Sequence, residues 1–333
     1  MLPIYFPHNG DVKPGLTESA RATIHAMSHP HGHAHTHGSA DAARLKLALG
    51  LILGLMAAEV VAGLLAGSLA LLSDAAHMLT DAGALGLALL ALRLAHRPAG
   101  GDFTFGLRRA EILSAQLNGA TLVALGALIV LEGVRRLGHP PDVEGLAVLL
   151  VAALGIAVNL AATRLLAGAD RRSLNVEGAF QHVLTDLFAF IATAIAGAVV
   201  LATGFTRADG IAALLVAALM LRAGYGLLRD SGRVLLEASP RGLDANEVGR
   251  ALASEPHVVE VHDLHLWEVS SGFPSLSAHV LMRPDCDCQS HRRRLAAMLK
   301  DRFGIEHSTL QVERAGEEGA RLAIAPLRYG NGA

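Results

Sequence analysis

Residues 176–203 decide the fold of this chain, and they read VEGAFQHVLTDLFAFIATAIAGAVVLAT. A helix that spans a bilayer needs about 20 mostly apolar residues, and in this stretch only Glu177, His182 and Asp186 are ionisable. Five further windows are similarly apolar: Leu45–Ala66, Leu69–Leu94, Ile112–Val134, Leu146–Ala167 and Ile211–Leu228. The sequence therefore predicts an α-helical membrane protein with six transmembrane helices.

The composition agrees with closely packed membrane helices. Of the 333 residues, 52% are hydrophobic and 17% charged, and the mean hydropathy is +0.42. A soluble domain of this size carries about a quarter charged residues. Aromatic residues are only 4%, while Ala, Leu, Gly and Val dominate, and small residues let membrane helices approach one another. The net charge of −2 gives no reason to expect a nucleic-acid partner.

The chain outside the spans divides into three further parts. Residues 1–43 lack the apolar residues for a core, so we expect a disordered, His-rich cytoplasmic arm. Its metal-capturing candidates are His29, His31, His33, His35 and His37. The alternative is a solvated tail without effect on transport. Residues 44–230 are predicted to form the membrane domain, 231–315 a small α+β domain, and 316–333 a flexible tail.

The patterns within residues 231–315 predict the order helix, strand, strand, helix, strand. Alternating apolar residues indicate the strands, and amphipathic stretches indicate the helices. The predicted elements are Asp244–Ser254, Val258–Val269, Ser275–Met282, Ser290–Phe303 and Ser308–Val312.

Basic residues predict the orientation in the membrane. Arginines are more numerous after the second, fourth and sixth spans than on the opposite side: Arg93, Arg97, Arg108, Arg109, Arg171, Arg172, Arg229 and Arg233 against Arg135, Arg136 and Arg207. Since cytoplasmic loops carry the excess of positive charge, both termini are predicted to lie in the cytoplasm. An even number of spans agrees with this.

Ionisable residues inside the spans indicate function, because each costs roughly a few kcal/mol at span depth. The second span contains Ser73-Asp74-Ala-Ala-His77-Met-Leu-Thr-Asp81, and the fifth contains Gln181-His182-Val-Leu-Thr-Asp186. In each His-x-x-x-Asp pattern the two side chains lie one turn apart on the same helix face. Two facing motifs supply two imidazoles and two carboxylates, a tetrahedral set that suits Zn²⁺. We therefore predict a transport site of His77, Asp81, His182 and Asp186.

Depth supports this pairing. Asp81 and Asp186 lie equally far from the predicted cytoplasmic ends of their spans, so the two carboxylates are expected at one level.

Other polar groups in the spans are candidates for lesser roles. Asp74 and Glu59 are accessory candidates, either for proton relay or for structure and hydration. Asn118 and Asn159 are predicted to hydrogen-bond to neighbouring helices.

These motifs, together with Phe103-Thr-Phe-Gly106-Leu-Arg-Arg109-Ala-Glu111, resemble the cation diffusion facilitator family over residues 45–315. The subgroup they resemble is the zinc-exporting bacterial one related to the cobalt–zinc–cadmium resistance transporters. The resemblance implies an inner-membrane homodimer that exchanges cytoplasmic Zn²⁺ for periplasmic protons, with a ferredoxin-like cytoplasmic domain. It implies no organic cofactor, since zinc is the substrate and a candidate regulator. Cd²⁺, Co²⁺ and Fe²⁺ remain alternative substrates.

The resemblance also implies a metal-sensing site in the cytoplasmic domain. His262 and His279 match the family's strand pattern, and His291 opens the second helix of the domain. Glu313 stands where some relatives have His, which leaves the ligand set open. Cys286 and Cys288 are either further ligands or two reduced surface thiols. His265 and Trp267 are expected to serve packing.

Two rival functions use the same intramembrane residues. A metallohydrolase would need an open metal position and a general base, and no HExxH motif occurs in the sequence. A zinc sensor that moves no metal would need an output domain, and no kinase, cyclase or DNA-binding pattern is present. We therefore expect a secondary active transporter and not an enzyme.

Overall fold

The computed structural model describes residues 34–66, 69–138, 145–315 and 329–330. Its membrane part consists of α1 (Ala34–Ala66), α2 (Leu69–Ala95), α3 (Ala110–Gly138), α4 (Gly145–Ala167), α5 (Leu174–Thr203) and α6 (Ala208–Leu235). Within those residues, four helical stretches are long and apolar enough to cross a membrane: Met78–Ala95, Ala110–Gly138, Leu174–Thr203 and Ala208–Leu235. Val151–Ala167 is a shorter apolar helix. The six helices confirm the predicted helical membrane fold.

Helix α1 begins earlier than predicted. It starts at Ala34, so the last part of the arm expected to be disordered is helical. Residues 34–43 contain four alanines, the best helix former, and the Asp41 carboxylate accepts a hydrogen bond from the Asp170 backbone N–H at 3.1 Å. His29, His31 and His33 lie outside the described residues. For His35 and His37 only the helical backbone is described.

Four of the helices, α1, α2, α4 and α5, share one apolar core. Apolar side chains spaced three, four or seven residues apart on each helix face this core, as expected of packed helices. Its buried members are Leu45, Ala48, Ile52, Leu55, Met78, Ala82, Leu85, Ala88, Leu89, Leu92, Ala162, Leu166, Ala179, Phe180 and Val183. This core holds α2 against α5 and so brings the two predicted motifs onto neighbouring helices.

Helices α3 and α6 form a second unit through small residues at seven-residue spacing. Gly119, Gly126 and Gly133 of α3 face Gly224, Ala217 and Gly210 of α6. A Cβ atom added at Gly224 would stand 2.8 Å from the Gly119 carbonyl oxygen, and one at Gly210 would stand 3.1 Å from that of Gly133. The two backbones therefore touch along most of their length. Beyond the last pair, Arg136 Nη1 donates to Asp209 Oδ2 at 2.7 Å.

The C-terminal part forms a small α+β domain. It consists of α7 (Ala245–Ala253), β1 (Val258–Glu268), β2 (Pro274–Met282), α8 (Cys288–Phe303), β3 (His307–Arg314) and the two-residue β4 (Tyr329–Gly330). The sheet order is β3-β2-β1-β4, with β1 antiparallel to β2 and to β4, and β2 parallel to β3. The predicted element order is confirmed, and β4 is a strand that the sequence analysis did not predict.

Turns of the C-terminal domain contact the nearby ends of the membrane helices. The first backbone N–H of α5, at Leu174, donates to Ser271 Oγ at 3.0 Å. The Arg108 guanidinium lies 4.6 Å from the centre of the Phe273 ring. Arg109 Nη2 and Glu237 Oε1 form an ion pair at 3.2 Å. The turn between β1 and β2 therefore meets both the loop before α3 and the start of α5.

Candidate metal site

The candidate site lies between α2 and α5. Asp81 comes from α2, and His182 and Asp186 come from successive turns of α5. One ligand atom from each of the three side chains lies within 4.8 Å of the others, and within the described residues no other group of three His, Cys, Asp or Glu side chains comes this close. The carboxylate of the second-span motif and both members of the fifth-span motif thus converge.

All three side chains are removed from the surface of the chain. His182 is 1% exposed, Asp81 4% and Asp186 7%. His182 Nε2 and Asp81 Oδ1 are 2.9 Å apart and share a hydrogen bond. The other ring nitrogen, His182 Nδ1, is buried and has no hydrogen-bond partner among the described residues. Two carboxylates and one imidazole at this separation are donor groups that could hold a divalent cation such as Zn²⁺.

A second contact between α2 and α5 fixes the level at which the site residues meet. Asn175 is fully buried, and its Nδ2 donates to the Ala88 carbonyl oxygen at 2.8 Å. Asn175 precedes His182 by seven residues, and Ala88 follows Asp81 by seven. Because the helices are antiparallel, this spacing places the two contacts about 10 Å apart along both helices. Asp81 therefore meets His182 directly, whereas equal depth was predicted for Asp81 and Asp186.

The remaining predicted polar groups of the spans are placed as follows. His77 and Asp74 lie in α2, but their side chains are outside the described part of the chain. Glu59 of α1 is buried, with 4% exposure, and is not a member of the three-residue group. The interhelical bond predicted for Asn159 is wrong: its Nδ2 donates to the Gly155 carbonyl one turn earlier in the same helix, at 3.1 Å.

In the C-terminal domain, two predicted ligands are neighbours. His262 of β1 and His279 of β2 are cross-strand partners whose ring centres are 5.3 Å apart. Their nearby carboxylates are Glu260, 3.7 Å from His262 Nδ1, and Asp263, 3.8 Å from His279 Nε2. Asp263 has a φ of 52° within an irregularity of the β1–β2 pairing, which lets its carboxylate also reach His265 at 3.0 Å. His265 is exposed, so it does not serve the packing role predicted for it.

The other predicted cytoplasmic ligands lie elsewhere in the domain. Cys286 Sγ and Cys288 Sγ are 3.9 Å apart at the start of α8. His291 packs its ring against His257, with centres 4.9 Å apart. Glu313 lies on β3 and accepts a hydrogen bond from Gln311. Within the described residues these side chains form no three-membered group at ligand distance with His262 and His279.

Sequence reasoning missed two features that position or surround the site. Asn175 lies at the start of the fifth span, and nothing in the sequence distinguishes it. Only its hydrogen bond to the Ala88 carbonyl of α2 reveals its role. Arg222 lies inside the sixth predicted span, where a charged residue indicates a functional group, but it was not among the predicted candidates.

Two protein families match this chain over most of its length. The cation efflux transmembrane domain family matches residues 45–236, and the cation efflux cytoplasmic domain family matches residues 240–315. The chain belongs to the cation efflux family. The resemblance to cation diffusion facilitators is thereby confirmed, and so is the prediction of a multi-pass membrane transporter in place of an enzyme.

Similar proteins carry related names. The zinc transporter ZitB of Escherichia coli is 40% identical over 248 residues, covering 74% of this chain and 79% of ZitB. The metal cation efflux system protein CzcD of Cupriavidus metallidurans is 40% identical over 261 residues, covering 77% and 81%. The cadmium, cobalt and zinc/H(+)-K(+) antiporter of Bacillus subtilis is 36% identical over 251 residues, covering 74% and 80%.

One similar solved structure is the metal-bound C-terminal domain of the CzcD transporter from the same Cupriavidus species. It is 36% identical, covers 21% of this chain and 99% of its own, and has a TM-score of 0.21.

Proposed function

We propose that this chain exports Zn²⁺ from the cytoplasm and that Asp81, His182 and Asp186 bind the ion in transit. The observation that carries the proposal is the convergence of these three buried ligands between two membrane helices. An intramembrane group of this kind is costly unless it serves an ion or proton pathway. His77, one turn before Asp81 on α2, is the fourth ligand in this proposal and completes the tetrahedral set.

Protons compete with the metal in this arrangement. The hydrogen bond between His182 Nε2 and Asp81 Oδ1 contains a proton, and Nε2, which has a single lone pair, cannot coordinate an ion while that proton remains there. In this proposal the proton leaves the site when the ion binds to Nε2, and reprotonation favours metal release. This linkage supports exchange of cytoplasmic Zn²⁺ for protons from the opposite side, which is the periplasm in this proposal.

The choice of ion rests on donor chemistry and on the relatives. One or two imidazoles with carboxylates suit Zn²⁺ better than Mn²⁺, which prefers oxygen ligands. ZitB is named a zinc transporter, while the Bacillus antiporter is named for cadmium, cobalt and zinc. Cd²⁺, Co²⁺ and Fe²⁺ are the alternative substrates that a direct comparison has to separate.

The assembly proposed is a homodimer in the inner membrane with both termini in the cytoplasm. The match to the family's cytoplasmic domain and the Arg-rich loops support this arrangement. In the cytoplasmic domain, we place a regulatory metal at His262 and His279, supported by their cross-strand contact. The His-rich arm is proposed to capture zinc near the cytoplasmic mouth.

The test is zinc flux into proteoliposomes that contain the full chain, with and without an imposed proton gradient. The native protein should move Zn²⁺ in a gradient-dependent manner, and Asp81→Ala combined with Asp186→Ala should abolish it. Parallel assays with Cd²⁺, Co²⁺ and Fe²⁺ rank the ions. Native rates in the double variant would refute the site, whereas movement of another ion alone would keep the site and replace the substrate.

A further inference from the structure

Helix α6 carries two arginines whose charge the metal site does not use. Arg222 and Arg229 are seven residues apart and therefore lie on one face of the helix. Arg222 lies inside the predicted sixth span, six residues before its end at Leu228, which places its Cα about 9 Å from that end. A guanidinium at such depth is rare unless it has a partner or reaches a polar region.

Both arginines line a cavity of about 520 Å³ between α5 and α6. Gln181 and Thr185 of α5 form part of its wall, and they flank the site residues His182 and Asp186 in sequence. Phe188 and Leu219 line it as well and are 41% and 43% exposed. The cavity thus has a basic side and an apolar side that is open at the surface of the membrane part.

The acidic groups of the cavity are already engaged by other arginines. Glu177 receives two hydrogen bonds from Arg171, at 2.7 and 3.1 Å. Asp230 forms an ion pair with Arg241. Arg222 and Arg229 make no hydrogen bond or ion pair with any described residue. Two positive charges therefore remain uncompensated in a cavity within the membrane part.

We propose that this cavity binds the phosphate headgroup of an anionic phospholipid from the cytoplasmic leaflet. The guanidinium fork of arginine matches phosphate oxygens, and basic pockets between membrane helices on the cytoplasmic side recognise such headgroups. The exposed Phe188 and Leu219 offer the acyl chain an apolar path, which a soluble anion would not use. The leaflet follows from the proposed orientation, but the binding itself does not depend on metal transport.

The experiment is native mass spectrometry of the full chain released from nanodiscs of phosphatidylglycerol and phosphatidylcholine in equal amounts. The native chain should retain phosphatidylglycerol in preference to phosphatidylcholine. A basic residue near an anionic headgroup contributes about fivefold in affinity, so Arg222→Gln with Arg229→Gln should weaken retention about twenty-five-fold. Arg164→Gln is the matched control, because Arg164 is an exposed arginine in the last turn of α4 that does not line the cavity.

A variant that conserves the charges controls for misfolding. Arg222→Lys with Arg229→Lys keeps both charges and should keep the preference, while each single Gln variant should lose an intermediate share. Equal retention of both lipids by the native chain, or undiminished phosphatidylglycerol in the double Gln variant, would overturn the proposal. So would displacement of the bound lipid by millimolar inorganic phosphate in detergent. If the double Gln variant instead separated protomers with lipid retention unchanged, a second copy of the chain would be the occupant and the lipid assignment wrong.

Discussion

The proposed transport site depends on three side chains, two of which share a hydrogen bond. His182 Nε2 and Asp81 Oδ1 are 2.9 Å apart and share a proton. Asp186, one turn further along α5, has a ligand atom within 4.8 Å of both residues. An ion can bind to His182 Nε2 only when that proton has left it. If metal binds at this proposed site, proton exchange is therefore expected to accompany metal transport.

Asp186→Asn keeps the shape of the side chain and removes its charge. We expect zinc affinity in the transport cycle to fall by more than about 100-fold, since even changes outside the ligand shell cost 10–100-fold. The measurement is the zinc dependence of flux in proteoliposomes. Thr185→Val is the control: its hydroxyl donates only to carbonyls of its own helix, those of Gln181 and His182, so near-native flux is expected. A native zinc dependence in Asp186→Asn contradicts the ligand role.

The thiols at the start of α8 offer a separate test in the cytoplasmic domain. Burial raises the pKa of the Cys286 thiol above its ordinary value, and the hydrogen bond with Cys288 raises it further. Because the thiolate is the nucleophile, alkylation of Cys286 in a Cys288→Ser variant should be slow at pH 7 and rise about tenfold per pH unit. Maleimide labelling followed by mass spectrometry checks this. The Cys288→Ser variant lacks the second thiol, so burial is the main remaining cause of the raised Cys286 pKa. An alkylation rate of Cys286 that levels off below pH 8 would contradict this effect of burial.

At the scale of helices, the membrane part consists of a four-helix core and a tightly packed pair. The core holds α2 against α5 and sets the site. The pair α3 and α6 is joined by glycines and an alanine at seven-residue spacing, which allows backbone contact in a setting where the hydrophobic effect between helices is weak. Small side chains therefore stabilise this helix pair by allowing backbone contact, whereas large apolar side chains stabilise helix pairs in soluble proteins.

Gly224→Ala should destabilise the membrane part by about 1–3 kcal/mol, because the new methyl group meets the Gly119 carbonyl and Val123 at 2.8 Å. Gly226→Ala, two residues along the same helix, has nothing within 4 Å of the added Cβ. That control should be neutral or gain up to about 1 kcal/mol from helix propensity. Thermal unfolding in detergent compares the two. Equal stability of both variants would show that the backbones of α3 and α6 are not in contact.

Asn175→Leu removes the buried bond that sets the level of α5 against α2. Interhelical hydrogen bonds in membranes contribute about 0.6–1.7 kcal/mol, so a modest loss of stability is expected. The larger effect should be a raised KM for zinc, since Asp81 and His182 lose their common level. Asn159→Leu is the matched control, as that amide bonds within its own helix. A KM increase of equal size in both variants would argue against the positioning role.

At the scale of the whole molecule, the C-terminal domain contacts the helix that carries two residues of the proposed metal site. The β1–β2 turn contacts the start of α5 through Ser271 and the loop before α3 through Phe273. Helix α5 runs from that contact to His182 and Asp186, so one continuous helix connects the C-terminal domain with the proposed site. A metal at His262 and His279 would act on the strands that carry this turn.

Much of this architecture could be predicted from the sequence. Hydropathy located the six helices, and the alternating patterns located the strands, because both depend on local composition. The pairing of His182 with Asp81 in place of equal carboxylate depth could not be predicted, since the relative level of two helices depends on a single interhelical contact, Asn175 to Ala88. The early start of α1 was missed because the arm has no apolar stripe, although its alanines favour a helix.

The most direct test of the central claim is the number of protons released when the full chain binds zinc. Calorimetric titrations in buffers of different ionisation enthalpy give this number, and subtracting the same titration for Asp81→Asn with Asp186→Asn removes the contribution of zinc bound elsewhere. Competition at one site predicts that the native chain binds one more zinc per protomer than the variant and releases at least one proton with it at neutral pH. An extra zinc bound without proton release, or no difference between the two proteins, would contradict the account.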